Sequence, residues 1–187
     1  MARSFDNTND DIAITLKANQ ASLNTITIAC WFYADNTTEY KRLWQLGPAY
    51  PNNQLNMEWN NYAAPPNNVR LNARWNNDAG GGTWYWPLPS TGAWHHSCLT
   101  YNWGATTNDP IWYLDGSVQS ITELGAPTGS ATYNSTAFYI GSDSSAGSYF
   151  GGDIAEFAIW NRILTAEEVA ILGKGYSSLF IPNGLLS

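Results

Sequence analysis

Charge is scarce in this sequence, and positive charge is the scarcer kind. Asp, Glu, Lys and Arg make up 12% of the 187 residues, whereas soluble domains average about 25%. Only 8 Lys and Arg stand against 15 Asp and Glu, which gives a formal net charge of −7. Nucleic acids and anionic membranes are bound by basic surfaces. We therefore expect neither as a partner.

Long apolar runs are also missing. The sequence has no stretch of about 18 apolar residues, so we predict no membrane-spanning helix. Its start shows no apolar segment of the kind that a secretory signal peptide carries. We expect either that a signal has been removed or that the chain is made in a cytoplasm and leaves it by another route.

Cysteine is rare as well. The two cysteines, Cys30 and Cys98, are too few for a disulfide scaffold. Each lies among apolar residues of a predicted strand, where a free thiol packs as a small hydrophobic group. We expect two buried free thiols, and a disulfide between adjacent strands is the alternative.

Aromatic and small polar residues take the place of charge. Aromatics reach 14%, with 10 Trp and 11 Tyr, and Asn, Ser, Thr and Gly supply most of the polarity. This mixture favours strands and turns. Apolar and polar residues alternate clearly in segment 69–75, whereas segment 25–34 has no polar face, which predicts a central strand. Asp115-Gly116 is a strong hairpin signal. We count roughly twelve strands without a repeat or linker, which predicts one domain over residues 1–187.

A short helix is predicted near the end of the chain. Thr165 is a good N-cap, and Glu168 three residues later completes a capping box. Leu164 and Val169 have the spacing of a hydrophobic staple. Gly173 is a suitable stop.

Five segments resemble the laminin G-like, concanavalin A-like jelly-roll family. The clearest is 151–168, which resembles the family pattern G-x-I-D-E-V-x-I-W-N-R-A-L-S-x-E-E but has Ala155 at the usual Asp. The other four, in chain order, are the start with Phe5, Asp10 and Ile12, the W-H-H strand at 94–101, the hairpin with Asp115-Gly116 at its turn, and the F-Y-I-G strand at 138–141. The resemblance implies an all-β, concanavalin A-like jelly-roll sandwich of two antiparallel sheets with one short C-terminal helix.

The resemblance also implies a structural Ca²⁺. Relatives hold this ion at the sandwich rim through acidic side chains and backbone carbonyls, the oxygen ligands that a hard cation requires. The candidates here are Asp10, Asp11, Asp153 and Glu156. Ala155 removes one potential ligand, and solvated turn carboxylates are the alternative interpretation of these residues.

Carbohydrate binding is the common task of the family. Sugars are held by aromatic faces and by planar amides, and the region from residue 50 to 86 is rich in both. Our candidate sugar-binding residues are Tyr50, Trp59, Asn61, Tyr62 and Trp84. A sandwich also needs large core residues, so we expect most of the tryptophans to be buried and Tyr62 to be exposed.

Catalytic patterns are not apparent. A glycosidase needs two carboxylates flanking the scissile bond, yet Glu58 stands alone and no E-x-D-x-x-E run exists. His95 and His96 are adjacent in a strand and point to opposite faces, so they cannot readily chelate one ion. A hydrogen bond from a strand-end histidine to a neighbouring loop is the expected role. We predict a protein that is not an enzyme.

Two classes of function follow. The ending G-Y-S-S-L-F-I-P-N-G-L-L resembles phage-associated laminin G-like proteins, which implies a non-catalytic decoration or appendage protein on a bacteriophage virion. Its expected partners are glycans, other virion proteins or further copies of itself. The alternative is a free or secreted, calcium-dependent lectin, and a glycosidase is a remote third possibility.

Overall fold

A computed structural model describes most of the chain. The described residues are 2–16, 24–36, 41–47, 54–60, 67–74, 81–128, 137–144, 147–178 and 184–186. They contain fourteen strands and one helix, all given below. The first seven strands are β1 (Arg3–Asp6), β2 (Ile12–Thr15), β3 (Thr25–Ala34), β4 (Lys41–Leu46), β5 (Gln54–Asn60), β6 (Asn68–Arg74) and β7 (Gly82–Pro87). The others are β8 (Trp94–Asn102), β9 (Ile111–Leu114), β10 (Ser117–Val118), β11 (Thr122–Gly125), β12 (Ala137–Ile140), β13 (Gly151–Trp160), helix α1 (Ala166–Leu172) and β14 (Gly184–Leu186).

The strands form two antiparallel sheets, as predicted. The first sheet has the order β1-β13-β3-β8-β9-β10, with β14 also paired to β13. The second has the order β11-β7-β6-β5-β4-β12-β2. Half of the strand pairs join strands that are distant in sequence, such as β13 with β3 and β4 with β12, which is the connectivity of a jelly roll.

The space between the sheets is filled by one large apolar cluster. Seven tryptophans are essentially fully buried, which confirms the expected burial of most of them. Six of them belong to this cluster, namely Trp44, Trp59, Trp84, Trp86, Trp103 and Trp112, and Trp160 belongs to a second cluster beneath helix α1. Inward positions on β5 and β6 are aliphatic or aromatic at every second residue. This alternation determines which side chains are left for the outer faces.

Two strands were not predicted. The segment 117–122, expected to be one hairpin strand, keeps only Ser117–Val118 in the first sheet, and Thr122–Gly125 joins the second sheet beside β7. Residues 119–121 thus carry the chain from one sheet to the other. The second unpredicted strand, Gly184–Leu186, is short and pairs with β13 near Ile159.

A β-bulge interrupts β13. Ala155 pairs with Trp31 and Ala158 with Ala29, so two residues on β13 lie opposite one on β3. Glu156 has a φ of 49° at this point. The bulge shifts the alternation, so Ile154 and Ile159 both reach the core although they are five residues apart.

Helix α1 covers the outer face of the first sheet. Val169 and Leu172 pack with Leu164, Trp160 and Cys98 in a second apolar cluster. The predicted capping box is present, with the Thr165 hydroxyl accepting the Glu168 N–H and the Glu168 carboxylate accepting the Thr165 N–H. No helix among the described residues is long and apolar enough to span a membrane.

Gly173, the predicted helix stop, does not adopt a left-handed backbone conformation. Gly173 is at the C-cap with a φ of −64°, and the left-handed residue is Gly175, with a φ of 85°. Gly173 is required for another reason, since a Cβ there would lie 2.7 Å from the backbone nitrogen of Gly116. The helix end is thus pressed against the hairpin turn.

The connection before α1 is fixed by polar contacts. Thr27, which is fully buried, donates its hydroxyl to the Arg162 carbonyl (2.7 Å) and accepts the Leu164 N–H (3.0 Å). The Arg162 guanidinium donates two hydrogen bonds to Glu168, at 2.8 and 2.7 Å. This bond lowers the pKa of Glu168 and raises that of Arg162. The N-R-x-L-T-x-x-E sequence therefore serves to seat the helix.

The two histidines hold the β9–β10 hairpin to β8. Asp115 accepts the His96 N–H through Oδ1 (2.8 Å), and its Oδ2 lies 2.8 Å from His95 Nδ1. Ser90 Oγ lies 2.9 Å from His95 Nε2, so His95 bonds to a neighbouring loop as expected. His96 points the other way and is buried, which lowers its pKa to about 4.

The cysteines are free and buried. Cys30 lies opposite Ser97 and Cys98 opposite Ala29 on adjacent strands. They belong to different apolar clusters, one on each side of the sheet. The thiol interpretation is confirmed, and burial raises the pKa of both groups.

The capping box and the ion pair at α1 should be separable by pH. Because the pKa of Glu168 is lowered in the fold, its ion pair with Arg162 stabilises the protein above the unfolded pKa of about 4.3 and loses that effect as the pH falls below it. We expect Glu168→Gln to cost about 0.5–1 kcal/mol at pH 7 and progressively less in acid. Thr165→Ala, which removes the cap and leaves the ion pair, should cost about 1 kcal/mol at either pH. Urea unfolding measures both, and a pH-independent loss in Glu168→Gln would contradict this account.

The Asp115 contacts also predict a graded response. Asp115 has a φ of 52°, which Asn tolerates and Ala does not. Asn can also still accept the His96 N–H. We expect Asp115→Ala to lower the free energy of unfolding by about 1–3 kcal/mol, and Asp115→Asn to lower it by less. Thermal or urea unfolding compares the two variants. Equal losses of unfolding free energy would show that the hydrogen bond and the turn geometry that Asn retains do not stabilise the protein.

Candidate functional site

The outer face of the second sheet is polar across its central strands. On β5 the inward residues are Leu55, Met57 and Trp59, so the residues between them face outward. The same alternation holds on β6 and β7. We call the outward set the polar face: Arg42, Gln45, Gln54, Asn56, Glu58, Arg70, Asn72, Arg74, Thr83, Tyr85 and Tyr139.

Strand register arranges the polar face in rows. One row crosses four strands, with Arg42 opposite Glu58, Glu58 opposite Arg70, and Arg70 opposite Tyr85. The next row crosses five strands and consists of Tyr139, Gln45, Asn56, Asn72 and Thr83. The first row thus carries the charges, and the second carries the amides.

The amide row is joined by hydrogen bonds. Asn72 Nδ2 donates to Asn56 Oδ1 (3.2 Å), and the Thr83 hydroxyl donates to Asn72 Oδ1 (3.4 Å). Gln54 Nε2 donates to Gln45 Oε1 at 2.8 Å. These buried amides satisfy one another, as buried polar groups must, and the row is held in a fixed arrangement.

The charged row is only partly satisfied. Glu58 Oε1 accepts from Asn72 Nδ2 at 2.9 Å. Glu58 Oε2 lies 3.1 Å from Arg42 Nη1, an ion-pair distance without hydrogen-bond alignment. Arg70, on the other side of Glu58, has its Nε and Nη2 buried with no hydrogen-bond partner.

These groups suit hydrogen bonding to a polar ligand. Amides and guanidinium groups offer donors and acceptors to hydroxyls, and half-buried Tyr85 and Tyr139 offer aromatic surface beside them. Among the strands β4–β7 and β12, the polar face has one carboxylate, Glu58.

Another concave region is less suitable. A cavity of about 350 Å³ is lined by Thr100, Asn102, Asn108, Asp109 and Ile111, among others. Several of its polar atoms already have partners, since Asn102 Oδ1 accepts the Gly104 N–H and Asn108 Nδ2 donates to the Asn102 carbonyl. Asp109 accepts from Trp84 Nε1 at 2.8 Å. A ligand there would have to compete with these bonds.

The predicted sugar-binding residues do not gather on the polar face. Trp59 and Trp84 are 0% exposed and lie between the sheets, so neither can stack on a sugar, and this part of the prediction is corrected. The physical reason is strand alternation, which turns both rings inward. Tyr50, Asn61 and Tyr62 lie outside the described residues.

The predicted calcium ligands are spread over the turn after β1 and over β13. Asp10 Oδ2 accepts the Asp6 N–H (3.1 Å), and its Oδ1 lies 3.7 Å from Arg3 Nη2. Asp11 and Glu156 are exposed and Asp153 is half-buried. Within the described ranges, no three His, Cys, Asp or Glu side chains form a group that could hold a metal. The geometry thus offers no multi-carboxylate cage, and calcium stays a prediction.

Sequence reasoning missed Tyr85 and Arg70. The segment 83–87 reads T-W-Y-W-P, and Trp84 is the sugar-binding candidate that we selected from it. Strand alternation was the signal available, because burial of Trp84 and Trp86 requires Tyr85 to face the other way. The alternation of residues 69–75 places Arg70 on the outward side of its strand. Its neighbours on the adjacent strands depend on the strand register, which the sequence does not show.

Known structures share this fold. A heptameric SAP-like pentraxin from Limulus polyphemus is 14% identical with a TM-score of 0.67, covering 95% of this chain and 83% of the pentraxin. The CBM40 of the Ruminococcus gnavus IT-sialidase, bound to α2,3-sialyllactose, is 13% identical with a TM-score of 0.65, covering 92% and 98%. Domain 4 of the arabinanase AbnA from Geobacillus stearothermophilus, in complex with arabinotriose, is 19% identical with a TM-score of 0.60, covering 86% and 72%.

Sequence comparison gives the family. A search of curated protein sequences found no match. A sequence model of the concanavalin A-like lectin/glucanases superfamily, in its laminin G-like form, matches residues 6–170. That match covers most of both sheets and most of the helix, and it agrees with the two-sheet jelly roll described above. The chain therefore belongs to the concanavalin A-like lectin/glucanases superfamily.

Proposed function

We propose that this chain is a non-catalytic glycan-binding module whose ligand lies on the polar face. One observation carries the proposal: a face of amides, guanidinium groups and tyrosines is held in order by hydrogen bonds between its side chains. Groups of these types can exchange hydrogen bonds with the hydroxyls of a sugar.

The structural neighbours support this class of ligand. Two of them are carbohydrate-binding domains solved with an oligosaccharide, sialyllactose in one and arabinotriose in the other. Their identity to this chain is below 20%, so they support the type of ligand and not its identity.

The arrangement of carboxylates supports a non-catalytic role. Glycoside hydrolysis needs a pair of carboxyl groups about 5–10 Å apart. On the described strands of the polar face Glu58 is alone, and Asn72 and Arg42 engage its two oxygens. Polysaccharide turnover by the purified protein would overturn this part of the proposal.

Ser90, His95 and Asp115 have the hydrogen-bond pattern of a hydrolase triad. Acyl transfer also needs donors for the oxyanion. The nearby Gly92 N–H is already bonded to the Ala34 carbonyl at 3.0 Å. Asp115 is shared with the His96 N–H. We infer that the three residues join a loop, a strand and a hairpin.

We further propose display on the outside of a bacteriophage virion. The resemblance of the chain's ending to phage-associated laminin G-like proteins supports this location. Self-assembly is part of the proposal, and the heptameric pentraxin is a neighbour that assembles in this way. Native mass spectrometry and particle co-sedimentation test it, and a monomer that binds no particle would favour the alternative of a secreted lectin.

Binding to a glycan array tests the proposed function. We expect specific hits with the purified protein, measured once with calcium and once with a chelator. Hits lost in chelator would support the calcium prediction and the residues around Asp10. Hits that survive would support binding by the polar face without a metal, and a blank array in both conditions would overturn the function.

Tyr85 and Tyr176 provide a matched pair of variants. Tyr85 is on the polar face, whereas Tyr176 is 58% exposed after helix α1. We expect Tyr85→Ala to weaken glycan binding by at least about tenfold, equivalent to ~1.4 kcal/mol, because a sugar loses its aromatic contact. Tyr176→Ala should bind as the wild type does. Equal binding by the two variants, measured by calorimetry, would move the site away from the polar face.

A further inference from the structure

Four aromatic rings stand together on the outer face of the first sheet. Because Phe32 of β3 belongs to the core, its neighbours Trp31 and Tyr33 face outward. Strand register places Tyr33 opposite Trp94 and Trp31 opposite His96 on β8. The ring centroids of these two pairs are 6.0 and 5.3 Å apart. We call Trp31, Tyr33, Trp94 and His96 the aromatic face.

Helix α1 leaves the aromatic face uncovered. The helix packs over Ala29, Cys98 and Ala158 on three adjacent strands. Trp31 follows Ala29 by two residues, on the same side of β3 but outside the cluster beneath the helix. Trp94 is 42% exposed and Trp31 is half-buried, whereas seven other tryptophans are essentially fully buried. A partner can therefore contact these rings directly, and exposed aromatic surface of this kind is typical of an interaction site.

Negative charge borders the aromatic face. Asp153 of β13 lies opposite Tyr33 and is half-buried. Asp6 lies opposite Gly151, two residues before Asp153, and the Asp35 N–H donates to the Gly151 carbonyl (3.1 Å). Asp6 and Asp35 are both exposed. One border of the aromatic face thus carries three carboxylates.

Positive charge is scarce on this sheet. Arg3 is the one Lys or Arg on the seven described strands of the first sheet. Its guanidinium lies 5.6 Å from the ring centroid of Phe5, a core residue, and 3.7 Å from Asp10. It is therefore on the inward side of β1, away from the aromatic face. His96 is uncharged near neutral pH, because burial lowers its pKa to about 4.

Aromatic rings beside carboxylates suit a cationic group. The face of a Trp or Tyr ring attracts a cation electrostatically, and guanidinium is the cation most often found there. A planar guanidinium can also donate two parallel hydrogen bonds to a carboxylate. The row of Asp153, Tyr33 and Trp94 offers both kinds of contact across three strands.

We propose that the aromatic face docks an arginine-bearing segment of a protein partner, whose guanidinium groups stack on Trp94 and Tyr33 and pair with Asp153. The acidic border complements the positive charge of such a segment. This inference goes beyond glycan binding and does not depend on it, because the aromatic face belongs to the first sheet and the polar face to the second. The chain can then hold a glycan and a protein partner at the same time.

Matched peptides test the proposal on the wild-type protein. One capped peptide carries two arginines, and its counterpart carries citrulline, which keeps the planar shape and loses the charge. A chelator is present throughout, so that no metal occupies Asp153. We expect the arginine peptide to bind at least about fivefold more tightly and to shift the indole N–H signals of Trp31 and Trp94 in NMR spectra. Equal binding of the two peptides, or binding of neither, would overturn the inference.

Two pairs of variants locate the contact. We expect Trp94→Ala to weaken binding of the arginine peptide at least about threefold, whereas Tyr176→Ala, which removes an exposed ring after α1, should bind as the wild type does. Asp153→Asn should weaken binding more than Glu123→Gln, which removes the same charge from the second sheet. Unchanged binding in both Trp94→Ala and Asp153→Asn would contradict the proposal. Loss of glycan-array hits in Trp94→Ala, with no binding of the arginine peptide by the wild type, would assign the face to sugar and also overturn it.

Discussion

Strands β5, β6 and β7 carry an apolar or aromatic side chain at every second position, and these side chains fill the space between the sheets. Because successive strand residues point to opposite faces, the intervening positions must face outward. A register slip of one residue would bring Arg70 among the tryptophans and expose Leu71, which the core does not permit. Core packing therefore fixes which polar side chains meet outside, and in what order.

The outward polar side chains of the second sheet are also held in fixed positions. Gln54, Asn56 and Glu58 are at most 5% exposed, and burial of such groups is costly unless they are hydrogen-bonded. Gln54 and Asn56 hydrogen-bond to Gln45 and Asn72, and Glu58 forms an ion pair with Arg42, so these side chains are held in place. Binding to a preorganised surface loses little conformational entropy. The fold thus converts a packing requirement into a prepared polar surface.

The sequence was sufficient for the fold because several local signals agreed. Asp115-Gly116 formed its hairpin, Thr165 and Glu168 formed their capping box, and the tryptophans filled the core. The site was less predictable, because a sugar-binding surface depends on which face a residue occupies. Trp84 was chosen where Tyr85 faces outward, a difference of one position. The bulge at Glu156 shows the same limit, since one inserted residue reverses the alternation that follows it.

Glu58 is the one carboxylate on strands β4–β7 and β12 of the polar face. Glycoside hydrolysis uses two carboxyl groups, one of which protonates the leaving oxygen. Here the neighbours of Glu58 across the strands are two arginines in place of a second carboxylate. An arginine cannot exchange a proton near neutral pH, but it can hold an anion with paired donors. The row of Arg42, Glu58 and Arg70 therefore has guanidinium groups where hydrolysis would need a second carboxyl group.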